Sequence, residues 1–166
     1  MDLGLLIARI VFGLLMAGHG AQKLLGWFGG YGLAGTSGFF EALGFKPGRL
    51  FVTAASVGEV VSGVLIALGL FGPVGPAILL AIMIVAAVSV HWQHGLWATA
   101  NGIEVPLLYA TGAVVFALTG PGRFSLDALL GLGSLWTPAF VAGALVAGVA
   151  GGILNLSLRR TPVTAS

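Results

Sequence analysis

The stretch Leu3–Trp27, LGLLIARIVFGLLMAGHGAQKLLGW, decides the fold class. It is apolar and long enough to cross a bilayer, which takes about 20 helical residues. Yet it carries Arg9, His19, Gln22 and Lys23. On translocon-based scales an Arg or Lys at the centre of a spanning helix costs roughly 2.5 to 3.5 kcal/mol. At 3.6 residues per turn, Arg9, Met16 and Lys23 recur along one stripe, with Phe12 and His19 between them. A segment that is polar along one face and Leu-, Ile- and Val-rich elsewhere expects other helices against that face. The polar stripe is therefore expected to look into a helix bundle and to line whatever site the protein has.

The rest of the chain agrees with a membrane setting. Of its 166 residues 58% are hydrophobic and 7% charged, and the mean hydropathy is +1.08. Soluble domains carry about 25% charged residues. The net charge of +2 is spread over segment ends, so no basic patch suited to a nucleic acid forms and no nucleic-acid partner is expected. The chain has no cysteine, which rules out thiol–disulfide chemistry by its own residues and any iron–sulfur cluster held by them. MDLGLL lacks a basic n-region, so a cleaved signal peptide is not expected.

Five spans are expected, at about 3–25, 50–71, 74–94, 104–119 and 136–156, separated by Gly and Pro breakers. Residues 26–49 form a long connection. Its Thr36–Leu43 part reads as a short surface helix, capped by Thr36 or Ser37, with Phe39, Phe40, Leu43 and Phe45 on the membrane and Glu41 and Lys46 in water. The fifth span has no ionisable residue. In it Ala139, Gly143, Ala147 and Gly151 recur every fourth position, and Gly148-x-x-x-Gly152 overlaps them. Small residues at this spacing let helices pack closely, either within the bundle or in a homo-oligomer. The fold expected is an all-α membrane protein: a four-helix core over 1–134 with an interfacial loop at 26–49, then a fifth transmembrane helix and polar tail over 135–166.

Alternating span directions sort the polar residues. One end collects His19, Gln22, Lys23, Trp27, Glu41, Lys46, Arg49, His91, Trp92, His94, Trp97 and Glu104; the other holds Asp2, Arg123, Asp127 and Trp136. At about 1.5 Å per residue, Lys23 lies roughly 3 Å from the polar-rich end, His19 about 9 Å, Glu59 about 13 Å and Arg9 about 24 Å. Glu59 is then the deepest acid on that side, with His19 or Arg9 as its expected partner. Acids within spans point to function or to a register-fixing ion pair. Excess Lys and Arg at the rich end predict a cytoplasmic C-terminus and an outside N-terminus.

His91-x-x-His94 puts two imidazoles one turn apart, a spacing that His19 or Glu104 could complete for a divalent metal. No H-E-x-x-H accompanies it, and the pair falls where a helix meets headgroups, so no metal is expected. No Walker A or nucleophile elbow occurs.

Three stretches resemble the DoxX/DoxD family of small bacterial membrane proteins. They are Arg9 with Gly18-His19-Gly20-Ala21-Gln22-Lys23-Leu24; Glu59-Val60-Val61-Ser62-Gly63-Val64-Leu65 with Leu68-Gly69-Leu70; and Gly102-Ile103-Glu104-Val105-Pro106-Leu107-Leu108 with Leu118-Thr119-Gly120-Pro121-Gly122-Arg123-Phe124-Ser125-Leu126-Asp127. Together they cover about residues 3–131. The resemblance implies a four-helix bundle in the bacterial plasma membrane, linked to respiratory or redox chemistry. Members are described as subunits of a quinol oxidase or of thiosulfate:quinone oxidoreductase, and some tie soluble redox enzymes to the membrane.

Three functions follow as expectations. In a quinone-interacting oxidoreductase subunit, His19, Lys23 or His91 would donate to carbonyl oxygens and Glu59 and Glu104 would relay protons. Trp27, Trp92 or Trp97 would flank the ring, and Arg9 would support Glu59. A scaffold for soluble redox enzymes would instead depend on the 26–49 connection and the Arg123–Asp127 loop. A small transporter is the third, although no inverted repeat is visible.

Overall fold

The structure, a computed structural model, describes residues 2–160. The polar tail expected beyond Arg160 falls outside them. The described chain is all helical: α1 (Asp2–Leu25), α2 (Gly32–Ala42), α3 (Gly48–Leu68), α4 (Val74–Ala86), α5 (Glu104–Thr119), α6 (Leu126–Leu129) and α7 (Pro138–Ser157). α1, α3, α7 and the segment Val74–His94 are each long and apolar enough to cross a membrane, and α5 is a shorter apolar helix. The chain is thus an all-α membrane protein.

Local chemistry sets the helix ends. Glu41 Oε1 accepts from Gly48 N at 3.0 Å and caps the start of α3. Gly69, left-handed at φ 63°, ends the same helix. Thr137 accepts from Phe140 N at 3.2 Å, and Pro138 opens the first turn of α7, where a missing N–H is harmless. α2 begins earlier than its sequence suggests. Thr36 and Ser37 lie inside it and bond back to Gly32 O and Leu33 O, so neither acts as its cap.

α1, α3, α4 and α5 form a ring around Met16, Ile66, Leu79, Leu80, Met83, Ala113 and Phe116. α1 and α3 run antiparallel in close contact. A Cβ on Gly13 would collide with Gly63 O, and one on Gly20 would come 2.6 Å from Ser56 O. In lipid, such close packing takes over the role of the hydrophobic effect. The register that results places Ala17 level with Glu59, Arg9 level with Ala67 and Lys23 level with Thr53. On the other side of α1, Phe12 closes the ring against Tyr109 and Phe116 of α5, with ring centroids at 4.7 and 5.1 Å.

α2 and α7 stand outside the ring. α2 packs on α3 and α1, and α7 packs chiefly on α4. The two small-residue patterns of α7 separate. Gly148 and Gly152 are buried on α4, where a Cβ at Gly148 would lie 2.6 Å from Ala77 O. Ala139, Gly143 and Ala147 are exposed on the outer side, and Gly151, also exposed, lies beside Ala81 of α4.

The polar ends meet as the span count predicts, but Arg9 does not reach Glu59. It is buried at the far end, where Nη2 donates to Phe124 O and the guanidinium fills the space left open by Gly69. A cation there also complements the C-terminal dipole of α3. The register explains the difference. Arg9 lies eight residues from the level of Glu59, about 12 Å along the axis. Beside it Asp127, 1% exposed, accepts from Phe71 N (2.8 Å), Gly72 N (2.7 Å) and Trp136 Nε1 (2.7 Å). These bonds lock the α3–α4 turn to the segment that follows α5.

Candidate functional site

Lys23 of α1 forms an ion pair with Glu59 of α3 through Oε1. Their levels differ by six residues, about 9 Å, a gap that two long side chains span by leaning toward each other. His19, an expected partner of Glu59, turns elsewhere: Nδ1 faces Gln22 Oε1 at 3.2 Å and the ring meets Tyr109 edge-on at 6.1 Å. Glu59 is 3% exposed, and its Oε2 is buried without a hydrogen-bond partner. Leaving a buried carboxylate oxygen unsatisfied costs on the order of 1–3 kcal/mol or more, and Arg9 Nε and Nη1 are buried without partners in the same way at the far end.

The pair opens into a cavity of about 320 Å³ between α2, α3, α4 and α7. Phe39 and Phe40 line it from α2, Phe51 from α3, and Leu43 and Phe45 from the intervening turn. The sequence suggested a membrane-surface role for the α2 aromatics. Instead the turn at Gly44 folds Phe45 inward to 1% exposure, 5.2 Å from the Phe51 ring. Ala54 and Ala55 leave room where larger side chains would fill the space.

α4 supplies the opposite wall and changes geometry there. Residues Ala87–His91 form a π-helical turn, a distortion found often at functional sites. It brings Ser89 and His91 to the cavity. His91 Nδ1 lies 2.7 Å from Asn101 O. A carbonyl can only accept, so Nδ1 carries the proton and Nε2 is the free nitrogen. α7 adds Gly151, Gly152 and Asn155. The sequence reading missed Phe40, Phe51, Ser89 and Asn155. Asn155 was the visible signal, an amide near the end of an otherwise apolar span.

Several expected site residues lie apart from this cavity. Glu104 Oε2 accepts from Ala98 N at 2.8 Å and shapes the 95–103 loop. Trp27, Trp92 and Trp97 are 59–68% exposed, so the aromatic wall is made of phenylalanines instead. His94 Nδ1 turns back to Val90 O at 3.0 Å, away from any partnership with His91. Among the described residues no group of three or more His, Asp, Glu or Cys is placed to hold a metal ion. The arrangement is a mostly apolar chamber with one ion pair, one imidazole, the two hydroxyls of Thr36 and Ser89, and one amide. Small-molecule sites in general are mostly apolar clefts with a few placed polar groups, and this chamber has that composition.

The DoxX family model matches residues 4–92, which include Lys23, Glu59, Ser89 and His91. An uncharacterized membrane protein of Mycobacterium tuberculosis is 30% identical over 129 residues, covering 72% of this chain and 76% of that relative. The MFS efflux pump atnC of Emericella nidulans is 35% identical over 139 residues, covering 72% of this chain; the chain spans only 26% of that protein. No solved structure matches. With the family match extending over more than half of the chain, this protein belongs to the DoxX family.

Proposed function

We propose that the protein is a membrane subunit in redox chemistry that binds a quinone-type ring beside the Lys23–Glu59 pair. The observation that carries this reading is the buried Glu59 carboxylate, with only one oxygen paired, at the wall of a chamber that four phenylalanines also line. A quinone ring has two apolar faces for Phe40, Phe45 and Phe51, and oxygens that take protons when the ring is reduced. Lys23 Nζ has N–H groups beyond the one given to Glu59 and donates to a ring oxygen. Glu59 and His91 Nε2 exchange protons with that oxygen. Small-molecule pockets run from about 300 to 1,000 Å³. At about 320 Å³ this one holds the head of such a molecule, and an isoprenoid tail would continue into lipid. Electrons come from a partner subunit or a bound substrate. By the distribution of Lys and Arg, the site lies near the cytoplasmic end of a bacterial plasma-membrane protein.

A titration of the protein in lipid nanodiscs with a short-chain ubiquinone tests this, read by calorimetry. Saturable binding is expected, lost in Glu59→Ala and weakened in Phe51→Ala. Unsaturable partition that is identical in both variants refutes it.

A scaffold for soluble redox enzymes is the second reading. It draws on the exposed loop 92–101 at the same end, with Trp92, Leu96 and Trp97 outward. Co-purification of a soluble enzyme that is lost in Trp97→Ala but kept in Glu59→Gln would favour it.

A further inference from the structure

The cavity has two kinds of wall. α3 and α4 belong to the ring and are held by its core, whereas α2 and α7 are each fastened to the ring from outside. Across the rim, the end of α7 reaches the turn after α2. Arg159 Nε donates to Leu43 O at 2.9 Å, and Arg160 N donates to Gly44 O at 2.8 Å. The Arg159 guanidinium also stands 5.7 Å over the Phe45 ring. Leu43 and Phe45 both line the cavity, so these bonds hold cavity wall directly. Gly44 is what allows the approach: its φ is +92°, and a Cβ there would come 2.5 Å from Arg160 O.

We infer that Arg159 and Arg160 form a latch that closes the cavity rim between α2 and α7, and that its release admits an apolar ligand sideways from the bilayer. The position fits this use. Arg159 is a cation at a helix C-terminus, where the dipole holds it. Its carbonyl bond and its ring contact are both made to the turn, whose Phe45 reaches the Phe51 ring. When Arg159 leaves, Leu43 and Phe45 lose their outer support, while Lys23, Glu59 and the ring stay in place. The inference rests on the cavity being a ligand site, and it concerns how that site is reached.

The chain has no cysteine, so single cysteines report access without background. Ser89→Cys reports the cavity and Gln93→Cys the exposed loop, each in nanodiscs, with N-ethylmaleimide as the probe. In Arg159→Ala, labelling at position 89 is expected to rise about tenfold, the factor given by roughly 1.4 kcal/mol. Position 93 should not change. Arg159→Lys keeps a cation but loses the planar Nε–H, and is expected to give a smaller rise; it serves if the alanine variant does not fold. An unchanged rate at position 89, or equal rises at 89 and 93, overturns the latch. No ligand is added, so this result and the quinone titration can fail independently.

Discussion

Lys23 crosses from α1 to Glu59 of α3 and satisfies one carboxylate oxygen, leaving the other buried without a donor. Removing either partner therefore has different consequences. Lys23→Met strands a buried carboxylate and is expected to destabilise by about 3 kcal/mol, the lower end for a broken buried pair because the Lys23 side chain is 34% exposed. Glu59→Gln leaves a neutral amide and costs less. The double variant should recover much of the loss. Unfolding of all three in detergent, set out as a double-mutant cycle, measures the coupling; simple additivity would contradict the pairing.

Arg9 and Asp127 act on stability without touching the cavity. Asp127→Asn replaces an acceptor of three N–H groups with an amide that presents N–H to one of them. A loss of about 2–4 kcal/mol is expected. Arg9→Ala should lose a similar amount. In folded samples of both variants, affinity for the short-chain ubiquinone should match the parent's. A selective loss of affinity at full stability would place Arg9 in the site after all.

The two patterns of small residues in α7 make opposite predictions. Gly148→Leu has no room against Ala77 O and should push α7 from α4, costing about 2 kcal/mol or more and distorting the cavity. Gly143→Ala meets nothing within 4 Å and should be neutral, or stabilising by up to about 1 kcal/mol from helix propensity. Thermal unfolding of the two variants separates these outcomes.

Glu41 lies on α2 but serves α3. Glu41→Ala removes the acceptor for Gly48 N and should cost about 1 kcal/mol, with Glu41→Gln intermediate. Hydrogen exchange at the first turn of α3 is the direct readout.

The spans were legible in the sequence because hydropathy and breakers act locally. The sorting of ends was legible because short turns leave little choice of direction. Arg9 was assigned to Glu59 on depth along the membrane normal, and one dimension does not fix which residues oppose each other across two helices. That is set by the contact of Gly13 with Gly63 and Gly20 with Ser56, and small residues carry no sign of which partner they will meet. The phenylalanine wall was hidden for a related reason. Phe39 and Phe40 have the pattern of an interfacial helix, and the turn at Gly44 and the placement of α7 direct the neighbouring Phe45 inward. The π-helical turn at Ala87–His91 left no trace in the apolar run that contains it.

α7 gives the cavity its last wall, and α7 is also the last of these helices to be synthesised. Bacterial and eukaryotic ribosomes add roughly 5–20 residues per second. The interval between the emergence of His91 and of Arg160 is then on the order of several seconds. Over that interval the chain has made Lys23, Glu59 and His91 but not the α7 residues that complete the cavity wall. Until α7 docks on α4, the cavity lacks the wall made by Gly151, Gly152 and Asn155, so its shape depends on how fast that helix packs.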